Sequence, residues 1–215
     1  METRVELTEV RKNFGSNIVL DGVSLRVQEG RSAMIIGPNA CGKTTLLKII
    51  AGILKPDSGQ VRVNGTISIV FQEDLMAPWM TIRENIGLLQ NLKGMERDHI
   101  RRAVEEVSQA LGIHEYIHLR PKEASGGTLR KASIARALTL QPDILLLDEP
   151  LVELDSESRQ TVLRLLEDLR RRYGLTMIMT THYPEELTPL VDEVHWLTQR
   201  PTRIRESRTV RTVIP

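Results

Sequence analysis

Residues 37–44 read Gly-Pro-Asn-Ala-Cys-Gly-Lys-Thr, and this stretch limits the fold more than any other. Two glycines, Gly37 and Gly42, bracket Pro38, Asn39, Ala40 and Cys41, and Lys43 and Thr44 follow at once. Glycine admits backbone angles that a Cβ forbids, so such a loop can turn its N–H groups inward on an anion. The next segment, 44–54, carries Leu46, Leu47, Ile49, Ile50, Ile53 and Leu54 and reads as a helix whose positive end faces the same anion. Ser32 to Ile36 is a short apolar run that reads as a buried strand feeding the loop. Strand, glycine loop and helix together place Lys43 to reach the β- and γ-phosphates of a nucleotide and Thr44 to ligate magnesium.

A chain of 215 residues can bury a real core as one domain, with or without a subdomain. Its 29 basic and 28 acidic residues leave a net charge of +1, which gives no reason to expect nucleic acid or an anionic membrane as the main partner. Cys41 is the single cysteine, so no internal disulfide framework exists, which suits the cytosol. The N-terminus lacks an apolar signal core, and no apolar run approaches the length that spans a bilayer. A soluble protein is expected, serving a membrane only by docking to something that spans one.

Residues 3 to 30 alternate apolar and polar positions in the manner of half-exposed strands. Phe14 lies among their turns; it either caps the core or stacks on an adenine ring. Pro56 to Gly59 reads as a turn, and Asn64-Gly65 as the closure of a hairpin from 60–63 into 66–71, with Gln72 at the strand end. From 73 to about 125 strand patterns vanish, and helices are expected over 82–92 and 98–111. Ser125-Gly126-Gly127-Thr128 precedes a helix expected over 129–140, as a second anion cradle or an ordinary helix cap.

Ile144 to Leu147 is a fully apolar strand that ends in Asp148 and Glu149. Neighbours on a strand face opposite ways, so the two acids are expected to differ in role, one in a magnesium shell and one toward the attacking water; solvated turn residues are the bland alternative. Leu154-Asp155 starts a further helix, with Arg170, Arg171 and Arg172 expected to face water near its end. Leu175 to Thr181 is another buried strand, and His182 follows it, either structural or against the γ-phosphate.

In this order the motifs resemble the nucleotide-binding subunit of ATP-binding cassette (ABC) transporters over nearly the whole chain. The resemblance implies an α/β fold: a P-loop NTPase core with an N-terminal antiparallel β subdomain and a helical subdomain inserted at about 73–125, all within one ABC ATPase domain, 1–215. It implies ATP and Mg2+ as the bound groups. Phe14 would stack the adenine, and Gly37, Pro38, Asn39, Ala40, Cys41, Gly42, Lys43, Thr44 and Thr45 would wrap the phosphates. Gln72 would sense the γ-phosphate and magnesium and link the site to a membrane subunit. Ser125, Gly126, Gly127 and Thr128 would be the family signature, closing over the nucleotide of a paired copy. Asp148 would hold the magnesium shell with Thr44 and Gln72, Glu149 would polarise water, residues 151–155 would meet the paired subunit, and His182 would position the γ-phosphate.

The partners implied are a second ATPase subunit, a transmembrane permease and, indirectly, a solute-binding protein, with no nucleic acid, at the cytoplasmic face of the membrane. Three positions depart from the commonest pattern: Ala124 for leucine, Thr128 for glutamine or methionine, and Ala40 for glycine, the last mattering only if φ is positive there. The stretch from Phe71 to Trp79 and the run Arg200-Pro201-Thr202-Arg203-Ile204 resemble the nitrate, sulfonate and taurine importers, with Thr202 in place of a glycine. The alternatives for these are a buried core tryptophan and a solvated arginine tail. A non-hydrolysing, ATP-gated subunit and a soluble ABC ATPase of a non-transport complex, such as iron–sulfur assembly, are the rival functions. With so short a C-terminus, control would be expected to come from the partner.

Overall fold

The computed structural model describes residues 2–182 and 184–210. β1 (Thr3–Phe14) and β2 (Asn17–Gln28) pair antiparallel around Gly15, whose φ of 59° suits the tight turn. β3 (Ser32–Ile36) enters a second sheet, and α1 (Lys43–Ile50) follows it. β4 (Ser58–Val63) returns to pair with the free edge of β1, giving the order β2-β1-β4. Val5, Leu7 and Val10 stand opposite Val27, Leu25 and Val23, so one face of the pair is continuously apolar.

The hairpin expected at Asn64-Gly65 does not form. β5 (Ile67–Val70) leaves the first sheet and pairs parallel with β6 (Ile144–Asp148). The cause lies 77 residues away: Asp143 Oδ2 accepts the Thr66 N–H at 2.7 Å and its hydroxyl at 2.9 Å. The N–H groups of Asp143 and Ile144 donate to the Thr66 carbonyl, each at 3.0 Å. These bonds carry the chain across, and a local turn signal cannot register them.

The second sheet has the order β5-β6-β7-β3-β8-β9, with β7 at Thr176–Thr180, β8 at Glu193–Leu197 and β9 at Ile204–Thr209. β5, β6, β7, β3 and β8 run parallel, and β9 pairs antiparallel at the edge. Every residue of β6 and β7 is buried, as expected of parallel strands covered on both faces. Ile144, Leu146 and Ile178 pack with α1 and the first sheet. Leu145, Leu147, Met177 and Met179 pack with Val162 and Leu166 of α5 (Ser156–Tyr173). Near the end of α5, Arg171 and Arg172 are exposed. Arg170 is not: it donates to the Leu190 carbonyl at 2.9 Å and pairs with the buried Asp192. The short α6 (Pro184–Leu187) lies between β7 and β8.

Between β5 and β6 come α2 (Ile82–Leu92), α3 (Arg97–Ala110) and α4 (Gly126–Leu138). Ile82, Ile86, Val104, Leu111, Ile113 and Ala135 give these helices their own apolar core. Thr81 and Glu84 form a capping box that fixes the start of α2. α4 begins three residues before the expected Leu129, because Ser125 already caps it. α1 ends earlier than expected, at Ile50, and Ile53 is exposed.

Candidate functional site

Parallel register brings the strand ends together. Thr180 stands beside both Ile35 and Asp148, and Leu147 beside Val70. The segments leaving β3, β5, β6 and β7 therefore emerge along one edge, where open α/β sheets bind their ligands. They line a cleft of about 650 Å³ with Asn39 to Thr45, Gln72, Asp148, Glu149, Val152, His182 and Arg200 in its wall.

Close packing constrains the glycine loop. A Cβ on Gly37 would lie 2.9 Å from both Cys41 Sγ and Leu197 Cβ, and one on Gly42, at φ 117°, would lie 2.8 Å from Val19 Cγ1. Ala40 has φ 57°, the left-handed condition under which its departure from glycine matters; such a residue stores about 1–3 kcal/mol of backbone strain. Lys43, 7% exposed, lies over the loop, its Nζ donating to the carbonyls of Gly37 at 3.0 Å and Pro38 at 3.4 Å. Its ammonium is 4.0 Å from Glu149 Oε1.

The two acids are buried and hold different partners. Asp148 Oδ2 accepts from the Thr44 hydroxyl and Oδ1 from the Thr180 hydroxyl, both at 2.6 Å. Glu149 Oε2 accepts the His182 N–H at 3.0 Å. Glu149 Oε1 lies 3.1 Å from His182 Nε2, yet no aligned hydrogen bond reaches it. Burial pushes the Glu149 carboxyl above its ordinary value; the His182 charge, the His182 N–H and Lys43 oppose that rise, and Asp148 adds to it. Strand alternation does not separate the acids as expected. Glu149 has φ 50°, beyond the end of β6, and this left-handed turn brings both side chains to the same cleft.

Phe14 sits at the tip of the β1–β2 hairpin and is outside the cleft wall. It is 49% exposed, so it does not cap the core, and Lys12 Nζ stands 5.6 Å from its ring centre. Ser125 to Thr128 are also outside this wall. Ser125 Oγ accepts the Thr128 N–H at 3.2 Å, a true helix cap, and a Cβ on Gly126 would meet nothing within 4 Å. Trp79 is 72% exposed, which removes the core alternative for it. Sequence reasoning gave no place to Arg130 and noted Thr202 only as a departure from a glycine. Arg130 is buried and reaches the strand ends from α4, and Thr202 is fully buried against the glycine loop rather than lying in a solvated tail.

The Thr44 and Asp148 oxygens form a hard, oxygen-only donor pair. Among the described residues no group of three or more His, Cys, Asp or Glu could hold a metal. That donor set fits magnesium, which binds through one or two protein oxygens together with phosphate and water, better than a metal that needs a complete protein cage.

The family profile described as ABC transporter matches residues 20–152. The chain is 37% identical over 205 residues to the aliphatic sulfonates import ATP-binding protein SsuB 2 of Pseudomonas syringae pv. tomato, spanning 95% of this chain and 84% of that one. It is 36% identical over 201 residues to the lactose transport ATP-binding protein LacK of Rhizobium radiobacter, spanning 88% of this chain and 55% of that one. It is 33% identical to the Fe(3+) ions import ATP-binding protein FbpC of Escherichia coli K12, spanning 88% and 58%. The chain thus spans little more than half the length of the lactose and iron relatives. The dimeric bacterial ABC transporter cassette MJ0796 superposes with a TM-score of 0.89 at 27% identity, covering 96% of this chain and 99% of that one. Its dimeric post-hydrolysis state, bound to ADP and Pi, gives 0.88 at the same identity and coverage. The chain belongs to the ABC transporter family, as an ATP-binding cassette with the P-loop α/β fold.

Proposed function

We propose that this protein is the ATP-hydrolysing subunit of an ABC importer. The observation that carries the reading is the convergence of Lys43, Thr44, Asp148, Glu149 and His182, from three strand ends, on one cleft. Lys43 and the loop N–H groups hold the β- and γ-phosphates, and Phe14 stacks the adenine. Thr44, Asp148 and the side chain of Gln72 are the groups that would hold magnesium, which neutralises charge on the phosphates when bound. Glu149 Oε1, buried and without an aligned hydrogen bond, is the acceptor for the proton of the attacking water as the bond between the γ-phosphorus and the bridging oxygen breaks. His182 keeps that carboxylate in place through its backbone N–H and sets its ring beside the γ-phosphate.

The signature residues Ser125, Gly126, Gly127 and Thr128 lie away from their own cleft. In this reading they close over the nucleotide of a paired copy, and Leu151 to Asp155 meet that copy. The dimeric state of the cassette similar to this chain supports the pairing. The helical subdomain at about 73–125 passes the closure to a transmembrane permease at the cytoplasmic face of the membrane, which a solute-binding protein loads. Among the described residues no helix is long and apolar enough to cross a membrane. A small sulfonate-like oxyanion is the favoured solute, because the sulfonate importer matches over most of both chains. The testing experiment is Glu149→Gln: it traps an ATP-bound dimer on size exclusion and cuts turnover to a small residual rate, whereas full turnover refutes the role of Glu149. Lys43→Ala loses nucleotide binding or turnover.

A further inference from the structure

Arg130 is 3% exposed and lies five residues beyond the Ser125 cap. Its planar guanidinium carries five N–H donors in a fixed fork, and five hydrogen bonds from it run to backbone carbonyls. Nε donates to Pro150 at 3.1 Å. Nη2 donates to Asp148 at 3.0 Å and to Glu149 at 2.5 Å. Nη1 donates to Gln72 at 3.0 Å and to Phe71 at 2.5 Å. The Asp74 carboxylate, 3.6 Å from Nη1, balances the buried charge.

These contacts fall on a turn that holds a residue in the left-handed region. Glu149, a non-glycine residue, holds φ at 50°. Its N–H donates to Thr180 Oγ1 at 3.1 Å, and its carbonyl is taken by Arg130. A residue persists in that region only when its surroundings over-determine it. Released from Arg130, the 148–150 turn is free to relax toward extended backbone, and alternation would then carry the Glu149 carboxylate away from the face of Asp148.

We propose that Arg130 is a positioning residue for ATP hydrolysis: by clamping the carbonyls of Asp148, Glu149 and Pro150 it holds the Glu149 carboxylate in the cleft. Through Phe71 and Gln72 the same side chain fixes the second strand end of the site relative to the start of α4. This inference rests on the reading of Glu149 as the proton acceptor.

The test compares Arg130→Lys, which keeps the charge on a single nitrogen, and Arg130→Gln, which keeps two donors; either one suffices if the other fails to fold. Affinity for a fluorescent ATP analogue, thermal melting and single-turnover hydrolysis of radiolabelled ATP are measured for each, alone and combined with Glu149→Gln. The expected result is near-native affinity, with hydrolysis lowered up to about 100-fold, the scale of a 1 Å misplacement. In the double variants the residual rate equals that of Glu149→Gln alone. The proposal is overturned if the Arg130 substitution lowers the residual rate of Glu149→Gln by the same factor as in the wild type, or if affinity falls in step with rate. Full turnover by Glu149→Gln alone overturns the assignment of Glu149 and the clamp with it, and that single variant distinguishes this outcome from the additive one.

Discussion

Thr202 donates its hydroxyl to the carbonyl of Cys41, joining the β8–β9 connection to the glycine loop across 161 residues of sequence. The Thr202 N–H donates to Val19 at 3.0 Å, and its carbonyl accepts from Asp21 at 2.9 Å. Arg203 adds a bond to Asp21 Oδ2 at 3.0 Å. The segment therefore laces β2, the loop and the end of the second sheet into one unit. Thr202→Val keeps the shape and removes the donor, at a cost of about 1–3 kcal/mol. At about 2–4 °C per kcal/mol for a chain of this size, the melting temperature falls by several degrees. Thr202→Ser retains the bond and most of the stability. ATP affinity should weaken in the valine variant only; identical melting of valine and serine variants would contradict the bracing role.

How much of this was legible beforehand follows from the range of the forces involved. Lys43, Thr44, Asp148, Glu149 and His182 announce themselves because each sits at the end of an apolar strand or in a glycine loop, within a few residues of its signal. The crossing of β5 to the second sheet did not, because the Asp143–Thr66 bonds that direct it span 77 residues. Arg130 was silent, and Thr202 showed only as a departure from a glycine, since what distinguishes both is a set of backbone carbonyls brought near only by the fold. The positive φ of Ala40 and Glu149 is likewise a property of packing, invisible in residues that carry no bias toward it.

Ala40 offers a direct test of stored strain. At φ 57° glycine relieves the Cβ conflict, while its greater freedom in the unfolded chain costs about 0.4–1 kcal/mol. Ala40→Gly is therefore expected to melt close to the wild type. Ala40→Val, branched at Cβ, should lose about 2 kcal/mol or more. Chemical denaturation of the three proteins checks the order, and a valine variant as stable as the glycine one would show that the loop is not strained.

Phe14 is half exposed, so its removal leaves the core intact. Phe14→Ala should leave the unfolding midpoint unchanged within about 0.5 kcal/mol. Loss of one base–aromatic stack is worth about 1–3 kcal/mol, which weakens ATP binding roughly 5- to 150-fold. Phe14→Trp should restore it. Titration with ATP and with inorganic triphosphate separates the adenine term, because triphosphate binding should not change; equal loss for both ligands would place Phe14 outside the nucleotide contact.

Glu149 links stability and catalysis with opposite signs. Burial raises its carboxyl above the ordinary glutamate value of about 4.3, so the folded protein binds that proton more tightly than the unfolded chain does. The unfolded state then holds fewer protons in the window between the two values, and stability falls as pH rises through it. Hydrolysis behaves the other way, since only the ionised carboxylate accepts a proton from water: kcat/KM should rise with pH along an acid limb whose midpoint lies above the ordinary value. Glu149→Gln removes the buried charge, so without nucleotide it should melt higher than the wild type at neutral pH, with the gap closing on acidification as the wild-type carboxyl takes up its proton. Melting curves from neutral pH down toward the ordinary glutamate value measure the gap. A gap that widens instead would mean that the ionised form of Glu149 stabilises the fold through His182 and Lys43 by more than its burial costs.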